Sequence, residues 1–93
     1  RLANGHLALA FNDTEKGRTP LNLAVSTDDG ETWPHQLTIA QGPGEFSYPT
    51  VIQSRDELIH LTYTDLPGVR KGPGRNGSKV RHVVLHEEQI LDA

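Results

Sequence analysis

The chain has 93 residues, a formal net charge of −3 and no cysteine, which limits it to one small domain. Its acidic balance argues against a general nucleic-acid binder, and the lack of cysteine excludes disulfides and thiolate metal sites. No apolar run approaches the ~18 residues that a membrane span needs. Since the chain contains no methionine, we expect either a trimmed chain or a piece of a longer protein. Nothing in the sequence indicates a cellular compartment.

A domain of this size without disulfides is often only marginally stable by itself. Three further interactions could stabilise the domain: contact with a missing part of the same protein, oligomerisation, or a bound metal. The metal is the weakest of these, because the five histidines are dispersed along the chain.

Strand signals recur at short spacing, and helix signals are nearly absent. In chain order the predicted strands are Gly5–Asn12, Leu21–Ser26, Gln36–Ala40, Tyr48–Gln53, Leu58–Thr64 and Val80–His86. Residues 87–93 fit either a further short strand or a helical turn. About seven strands in antiparallel hairpins fit a sandwich, a barrel or part of a propeller, and composition does not choose among them.

One segment between two predicted strands is specific. Residues 26–33, Ser-Thr-Asp-Asp-Gly-Glu-Thr-Trp, fit the Asp-box pattern S-x-D-x-G-x-x-W at every fixed position. We expect the Asp28 carboxylate to accept backbone N–H bonds within the turn, after an opening Ser26. Gly30 supplies a positive φ, and Trp33 folds back as an apolar plug. This predicts a structural role, although Asp28 and Asp29 can also be interpreted as a metal or acid–base pair.

Together with Glu45–Thr64, this box resembles the C-terminal portion of the sialidase superfamily, also called BNR-repeat proteins. The resemblance implies an all-β fold, a six-bladed β-propeller of four-stranded antiparallel blades. The chain would then hold about two blades, as a fragment or as one protomer of a ring-closing oligomer. Residues 1–41 would end one blade and residues 45–93 would form the next, within a single partial propeller unit.

The resemblance also implies an exo-sialidase-like glycoside hydrolase that acts on acidic glycans of the sialic-acid type, with no cofactor and no metal. Tyr48 would be the nucleophile, at the start of an innermost strand, and Arg18 would clamp the substrate carboxylate. Glu45 is a candidate partner of Tyr48 and of the substrate. Pro49 departs from the serine that commonly follows the nucleophile. The other two arginines, the activating Glu and the acid/base Asp would come from missing blades, so we expect this chain alone to be inactive.

Other interpretations stay open at this point. The chain can be a non-catalytic carbohydrate-binding module whose three copies close a six-bladed ring, or a structural piece without activity. At the level of residues, Tyr48 can be a packing tyrosine at a strand end, and Arg18 can be a solvated loop cation.

Three weaker signals complete the sequence. The basic residues of the last long loop and strand are typical of a solvated surface rather than an anion site; they are Arg70, Lys71, Arg75, Lys79 and Arg81. His60 and His82 could meet across a hairpin, but two histidines without a third ligand are a weak metal signal. Asn12-Asp13-Thr14 matches N-x-[ST], which matters only in a secreted eukaryotic protein.

Overall fold

A computed structural model describes residues 1–14, 17–67 and 79–93 of the chain. In order, its elements are β1 (Leu7–Asn12), β2 (Leu21–Ser26), β3 (His35–Ala40), β4 (Gly44–Gln53), β5 (Ile59–Pro67), β6 (Lys79–Leu85) and α1 (Glu87–Leu91). All six predicted strands are confirmed. Their starts agree with the predictions to within two residues, except for β4, which begins at Gly44 instead of Tyr48. No helix in the described ranges is long and apolar enough to cross a membrane.

The strands form two antiparallel sheets of three strands each. The first sheet has the order β1-β2-β3 and the second sheet has the order β4-β5-β6. The all-β prediction is therefore confirmed, and no closed barrel forms in the described part of the chain. Two sheets of three described strands each are consistent with parts of two four-stranded propeller blades. The number of blades in the complete ring stays a prediction.

The core lies between the two sheets and is organised around β2, the central strand of the first sheet. Every residue of β2 is buried, because β1 and β3 pair with both of its edges and side chains cover both of its faces. One cluster joins β2 to the second sheet and the helix, through Leu23, Val25, Ile59, Leu85 and Ile90. A second cluster joins Leu21 to Phe46, Leu61 and Tyr63. Burying each of the aliphatic side chains in these clusters contributes about 1.5–3 kcal/mol, so the clusters stabilise the contact between the two sheets.

In β1 the small side chains, not the large ones, face the core. Ala8 and Ala10 pack against the buried clusters, whereas Leu9 is 45% exposed. Because alternate residues of a strand point to opposite faces, the alanine face is the one turned toward the second sheet. Alanines at these positions let β4 approach β1 closely, and these two strands are in contact.

The last residues form a one-turn helix, which resolves the choice between strand and helical turn. The backbone N–H of His86 donates to Gln89 Oε1 at 2.8 Å at the start of α1, and Ile90 is fully buried. Glu87 then ties the helix to the beginning of the chain. Its carboxylate accepts from Asn4 Nδ2 at 2.7 Å and contacts His6 Nδ1 at 2.6 Å. The N-terminal turn and α1 are therefore one packed unit.

Candidate functional site

The loop between β1 and β2 carries Arg18 and is fastened to β4. The backbone N–H of Phe46 donates to the carbonyl of Arg18 at 2.7 Å. Asn12 Nδ2, at the end of β1, donates to the Phe46 carbonyl at 3.0 Å and to the Pro20 carbonyl at 3.3 Å. Thr19 Oγ1 adds a bond to the Gly42 carbonyl at 3.1 Å. These bonds fix the backbone of Arg18 beside β4.

Both backbone groups of Phe46 point toward this loop. In an antiparallel pair the N–H and C=O of one residue lie on the same side of the strand. Since Phe46 N–H and C=O both bind the loop, they lie on the side of β4 away from β5. The loop thus occupies part of an otherwise open strand edge, and Asn12 acts there as the missing hydrogen-bond donor.

Tyr48 lies within β4 at an irregularity, not at the start of the strand as predicted. Its φ is +52°, and the register with β5 shifts between Ser47 and Thr50. A positive φ is uncommon for a residue with a side chain, and a bulge of this kind turns a side chain out of the sheet's regular alternation. The Tyr48 side chain is accordingly turned to solvent, and the residue is 73% exposed.

The structure brings Arg18 and Tyr48 together. The guanidinium carbon of Arg18 lies over the Tyr48 ring, 5.2 Å from its centroid, and both residues are exposed. A cation–π contact at an exposed site is worth about 0.5–1 kcal/mol. A charge-assisted, bidentate bond to a carboxylate is stronger, at about 1.5–3 kcal/mol. A ligand carboxylate can therefore compete for the Arg18 guanidinium without a large rearrangement.

Glu45 does not join this pair. It lies on β4 opposite Leu66 of β5 and is half-buried. In the part of the chain that the structure describes, no hydrogen bond or ion pair links Glu45 to Arg18 or to the Tyr48 hydroxyl. The Tyr48 hydroxyl also has no other carboxylate partner among these residues. An activating base for Tyr48 would have to come from elsewhere.

The turn that follows β2 is closed by Asp28. Its carboxylate accepts bonds from the Ser26 hydroxyl at 2.7 Å, the Thr32 backbone N–H at 2.9 Å and the Thr32 hydroxyl. The two bonds from Thr32 and the one from Ser26 lower the pKa of Asp28 to about 2. Ser26 Oγ in turn accepts from the Gly30 N–H at 2.9 Å. A carboxylate engaged in this way is a structural acceptor, which disfavours a catalytic acid at this position.

Gly30 and Trp33 complete the same turn. Gly30 has a φ of +92°, and an added Cβ would lie 3.3 Å from a Leu7 methyl carbon. Trp33 folds back so that its Nε1 donates to the Gly30 carbonyl at 3.1 Å. These contacts agree with the conformation expected for residues 26–33. The turn leaves the end of β2, whereas the Arg18 loop leads into its start, so about 17–20 Å of strand separates them.

Other candidate residues contribute less to a site. His60 and His82 do meet across β5 and β6, with Nδ1 of His60 3.0 Å from Nε2 of His82. Among the residues the structure describes, no group of three or more His, Cys, Asp or Glu side chains is arranged to hold a metal ion. Arg81 pairs with Asp65 at 3.2 Å and Lys79 is exposed. The remaining predicted basic residues, Arg70, Lys71 and Arg75, lie outside the described ranges.

Sequence reasoning missed two features. At Asn12 the sequence shows only an N-x-[ST] match, but the side-chain amide is half-buried and bonded to two carbonyls, so it is not free as a glycosylation acceptor. A pocket of about 320 Å³ lies between the N-terminal turn, the β4–β5 turn and α1. His6 and Glu87 are in its wall, and their 2.6 Å contact had no local sequence signal because 81 positions separate them.

Comparison with known proteins gives one match. A family model described as a BNR repeat-like domain matches residues 1–61. The matched stretch includes Arg18, the turn at residues 26–33, Glu45 and Tyr48. No curated protein and no solved structure matches the chain.

Proposed function

The chain belongs to the BNR repeat-like domain family, and from this relationship we propose that it is the C-terminal part of a sialidase-like glycoside hydrolase acting on acidic glycans. The observation that carries this proposal is the contact between Arg18 and Tyr48 on one exposed surface. A planar guanidinium is suited to bidentate recognition of a carboxylate. An exposed tyrosine beside it is placed to contact the same ligand.

In this function Arg18 pairs with the carboxylate of an acidic sugar, and Tyr48 attacks the anomeric carbon. Glycosidases that use tyrosine as nucleophile are a known departure from the usual pair of carboxylates. A carboxylate nucleophile would be repelled by the carboxylate of the substrate, whereas a neutral phenol is not. The phenol needs a base, and the leaving group needs an acid. We propose that both come from other blades, so that the chain alone binds weakly and does not hydrolyse.

The turn at residues 26–33 is, in this proposal, an Asp box at the outer rim of a blade. Its distance from Arg18 along β2, and the hydrogen bonds that occupy Asp28, support a role in holding the β2–β3 hairpin. The two sheets would be the last three strands of one blade and the first three of the next, in a six-bladed propeller.

A second candidate is a non-catalytic carbohydrate-binding module that trimerises into a propeller. The observation in its favour is the uncovered face of the second sheet. Ile52, Val80 and Val84 lie on this face and are 60%, 76% and 46% exposed. Exposed aliphatic side chains on one sheet face indicate that another protein surface covers them. That surface is either a further blade of the same protein or a second copy of the chain.

Binding of a sialylated sugar tests the proposal directly. We expect sialyllactose, but not neutral lactose, to give saturation-transfer NMR signals with the chain. Arg18→Met should weaken sialyllactose binding about tenfold to hundredfold, since it removes a charge-assisted bond. Arg55→Met, in the exposed β4–β5 turn, is the matched control and should bind normally. Equal binding of the two sugars, or normal binding by Arg18→Met, would contradict the proposal.

Two further measurements separate the enzyme from the binding module. In a protein that carries all blades, Tyr48→Phe should abolish release of a fluorogenic aglycone from a sialoside while sugar binding persists. A mass of three copies of this chain by light scattering, together with sugar binding but no hydrolysis, would favour the trimeric module. Turnover that survives in Tyr48→Phe would exclude Tyr48 as the nucleophile.

A further inference from the structure

A row of four polar side chains crosses the second sheet, away from Arg18 and Tyr48. It starts at Asp56 in the turn between β4 and β5, passes through Ser54 and His60, and ends at His82 on β6. Ser54 Oγ bonds to Asp56 Oδ1 and lies 2.9 Å from His60 Nε2. His60 Nδ1 lies 3.0 Å from His82 Nε2. We call these four residues the histidine network.

Counting protons along the histidine network fixes the direction of each bond. An ionised carboxylate only accepts, and bonds from Ser54 and from the Leu58 N–H lower the pKa of Asp56. Ser54 has one proton, which Asp56 or the nearby Leu58 carbonyl accepts. Ser54 Oγ must then accept from His60 Nε2–H. A neutral His60 protonated on Nε2 has a bare Nδ1, so the proton in the bond between the rings belongs to His82 Nε2.

The two rings meet edge to edge. Their planes differ by 18° and their centroids are 5.2 Å apart, while the bonded nitrogens are only 3.0 Å apart. The nitrogens therefore lie between the centroids, each lone pair or N–H pointing at the opposite ring. This geometry holds one proton between the rings. It leaves no room for a metal ion between them and cannot accommodate two protons.

In the described part of the chain, the rings share their face of the sheet with one further titratable side chain, His86, whose extended backbone continues β6 two residues beyond Val84. In register with His60 lie Ile52 of β4 and Val84 of β6, and in register with His82 lie Thr62 and then Thr50. Arg55 and Glu57 lie in the same turn as Asp56 and are exposed. Arg81 and Asp65 pair with each other, and alternation along β6 places Arg81 on the opposite face from His82. Asp56 is thus the charged group bonded into the histidine network.

From this arrangement we propose that the histidine network is a pH-sensitive connection between β5 and β6. Its hydrogen bonds persist when it binds one proton, and the bond between the two rings is lost when it binds a second. The first proton binds His82 Nδ1, the outward nitrogen. All bonds persist in that state, and the charged ring donates a stronger bond toward His60. The second proton must bind His60 Nδ1. Two N–H groups then face each other, two positive charges are adjacent, and the bond between the strands is lost.

Imidazole NMR of the whole chain, labelled with ¹⁵N-histidine, tests the proton positions. At about pH 8, where free imidazole is neutral, both rings should carry their proton on Nε2. On acidification His82 should be protonated first while His60 stays neutral. A proton on Nδ1 of His60 at high pH, or simultaneous protonation of both rings, would overturn the proposal.

A variant tests the coupling between the rings. His82→Phe keeps a planar ring on an exposed position of β6 but removes the charge and the donor. His60 should then accept its proton at about a tenfold lower proton concentration than in the unchanged chain. His35→Phe, on β3 of the other sheet, is the matched control and should leave His60 unchanged. An unchanged His60 titration in His82→Phe would exclude coupling.

Amide hydrogen exchange tests the consequence for the strands. Below the pH at which His60 is protonated, the paired amides of β6 should exchange about tenfold faster relative to those of β2, after correction for intrinsic rates. This acceleration should be absent from His82→Phe. An acid-induced acceleration of equal size in both proteins would show that the histidine network does not hold β6.

Discussion

Replacing Asn12 by alanine should loosen the loop that carries Arg18. The Asn12 amide makes one well-formed bond to the Phe46 carbonyl, at 3.0 Å, and a longer one to the Pro20 carbonyl. The lost bond costs about 1 kcal/mol, and a carbonyl left without a donor in a half-buried position costs about 1 kcal/mol more. Pro20 O still accepts from the Asp13 N–H, so we expect a total of about 2 kcal/mol.

Urea unfolding followed by tryptophan fluorescence measures this loss. Trp33 is the single tryptophan, so the signal has one source. With a denaturant slope of about 1 kcal/mol per molar urea, the low end for small proteins, the midpoint should fall by about 2 M. Gln41→Ala, which removes an exposed amide before β4, is the control and should change stability by less than about 0.5 kcal/mol.

The Asn12→Ala variant also tests whether the loop positions Arg18 for sugar binding. If Asn12 positions the loop, Asn12→Ala should weaken sialyllactose binding under conditions in which the variant is still folded. An unchanged midpoint in Asn12→Ala would refute the reasoning, because it would mean that the Phe46 carbonyl has another donor. A lowered midpoint with unchanged binding would mean that the loop backbone and the Arg18 side chain are independent.

Two more perturbations follow from contacts already given. The hydrogen bonds to Asp28 lower its pKa from 3.8 to about 2. They therefore stabilise the fold fully above about pH 4, and this stabilisation is lost as the pH falls through about 2. Between these two pH values the urea midpoint of the unchanged chain should decline, and it should decline less in Asp28→Asn. Glu87→Gln should cost about 1–2 kcal/mol, because the side chains of Glu87 and His6 are only 13% and 30% exposed where they meet. Amide exchange of the N-terminal turn should accelerate in that variant, whereas Glu88→Gln, at an exposed position, should leave it unchanged.

Strand positions were predictable because alternation and turn residues are local properties of the sequence. The predicted strand ends are wrong where pairing between residues distant in the sequence determines the end of a strand. The sequence suggested that β4 begins at Tyr48 and β5 ends at Thr64, but the structure extends both, pairing residues 44–46 with 65–67. These two extensions are one event, since each segment supplies the hydrogen-bond partners of the other. Neither is visible in its own composition.

Predictability of the candidate site divides in the same way. The closed turn at residues 26–33 follows from local chemistry: the backbone bond to Asp28, the positive φ of Gly30 and the folding back of Trp33 were expected, whereas the hydroxyl bonds of Ser26 and Thr32 to Asp28 were not. The meeting of His60 and His82 follows from register within one hairpin. The proximity of Arg18 and Tyr48 came only from family resemblance, because the bulge at Tyr48 and the Asn12 bond that produce it depend on contacts between the two sheets.

The burial of β2 has a consequence for the fate of the unfolded chain. The segment Leu21–Ser26 contains six residues with no charge and no proline, a composition typical of segments that stack into intermolecular β-structure. In the folded protein β1 and β3 occupy both of its edges, so it cannot recruit another strand. A variant that opens the first sheet would expose this segment, and the first sign of lost stability would then be insoluble aggregate rather than a soluble unfolded chain.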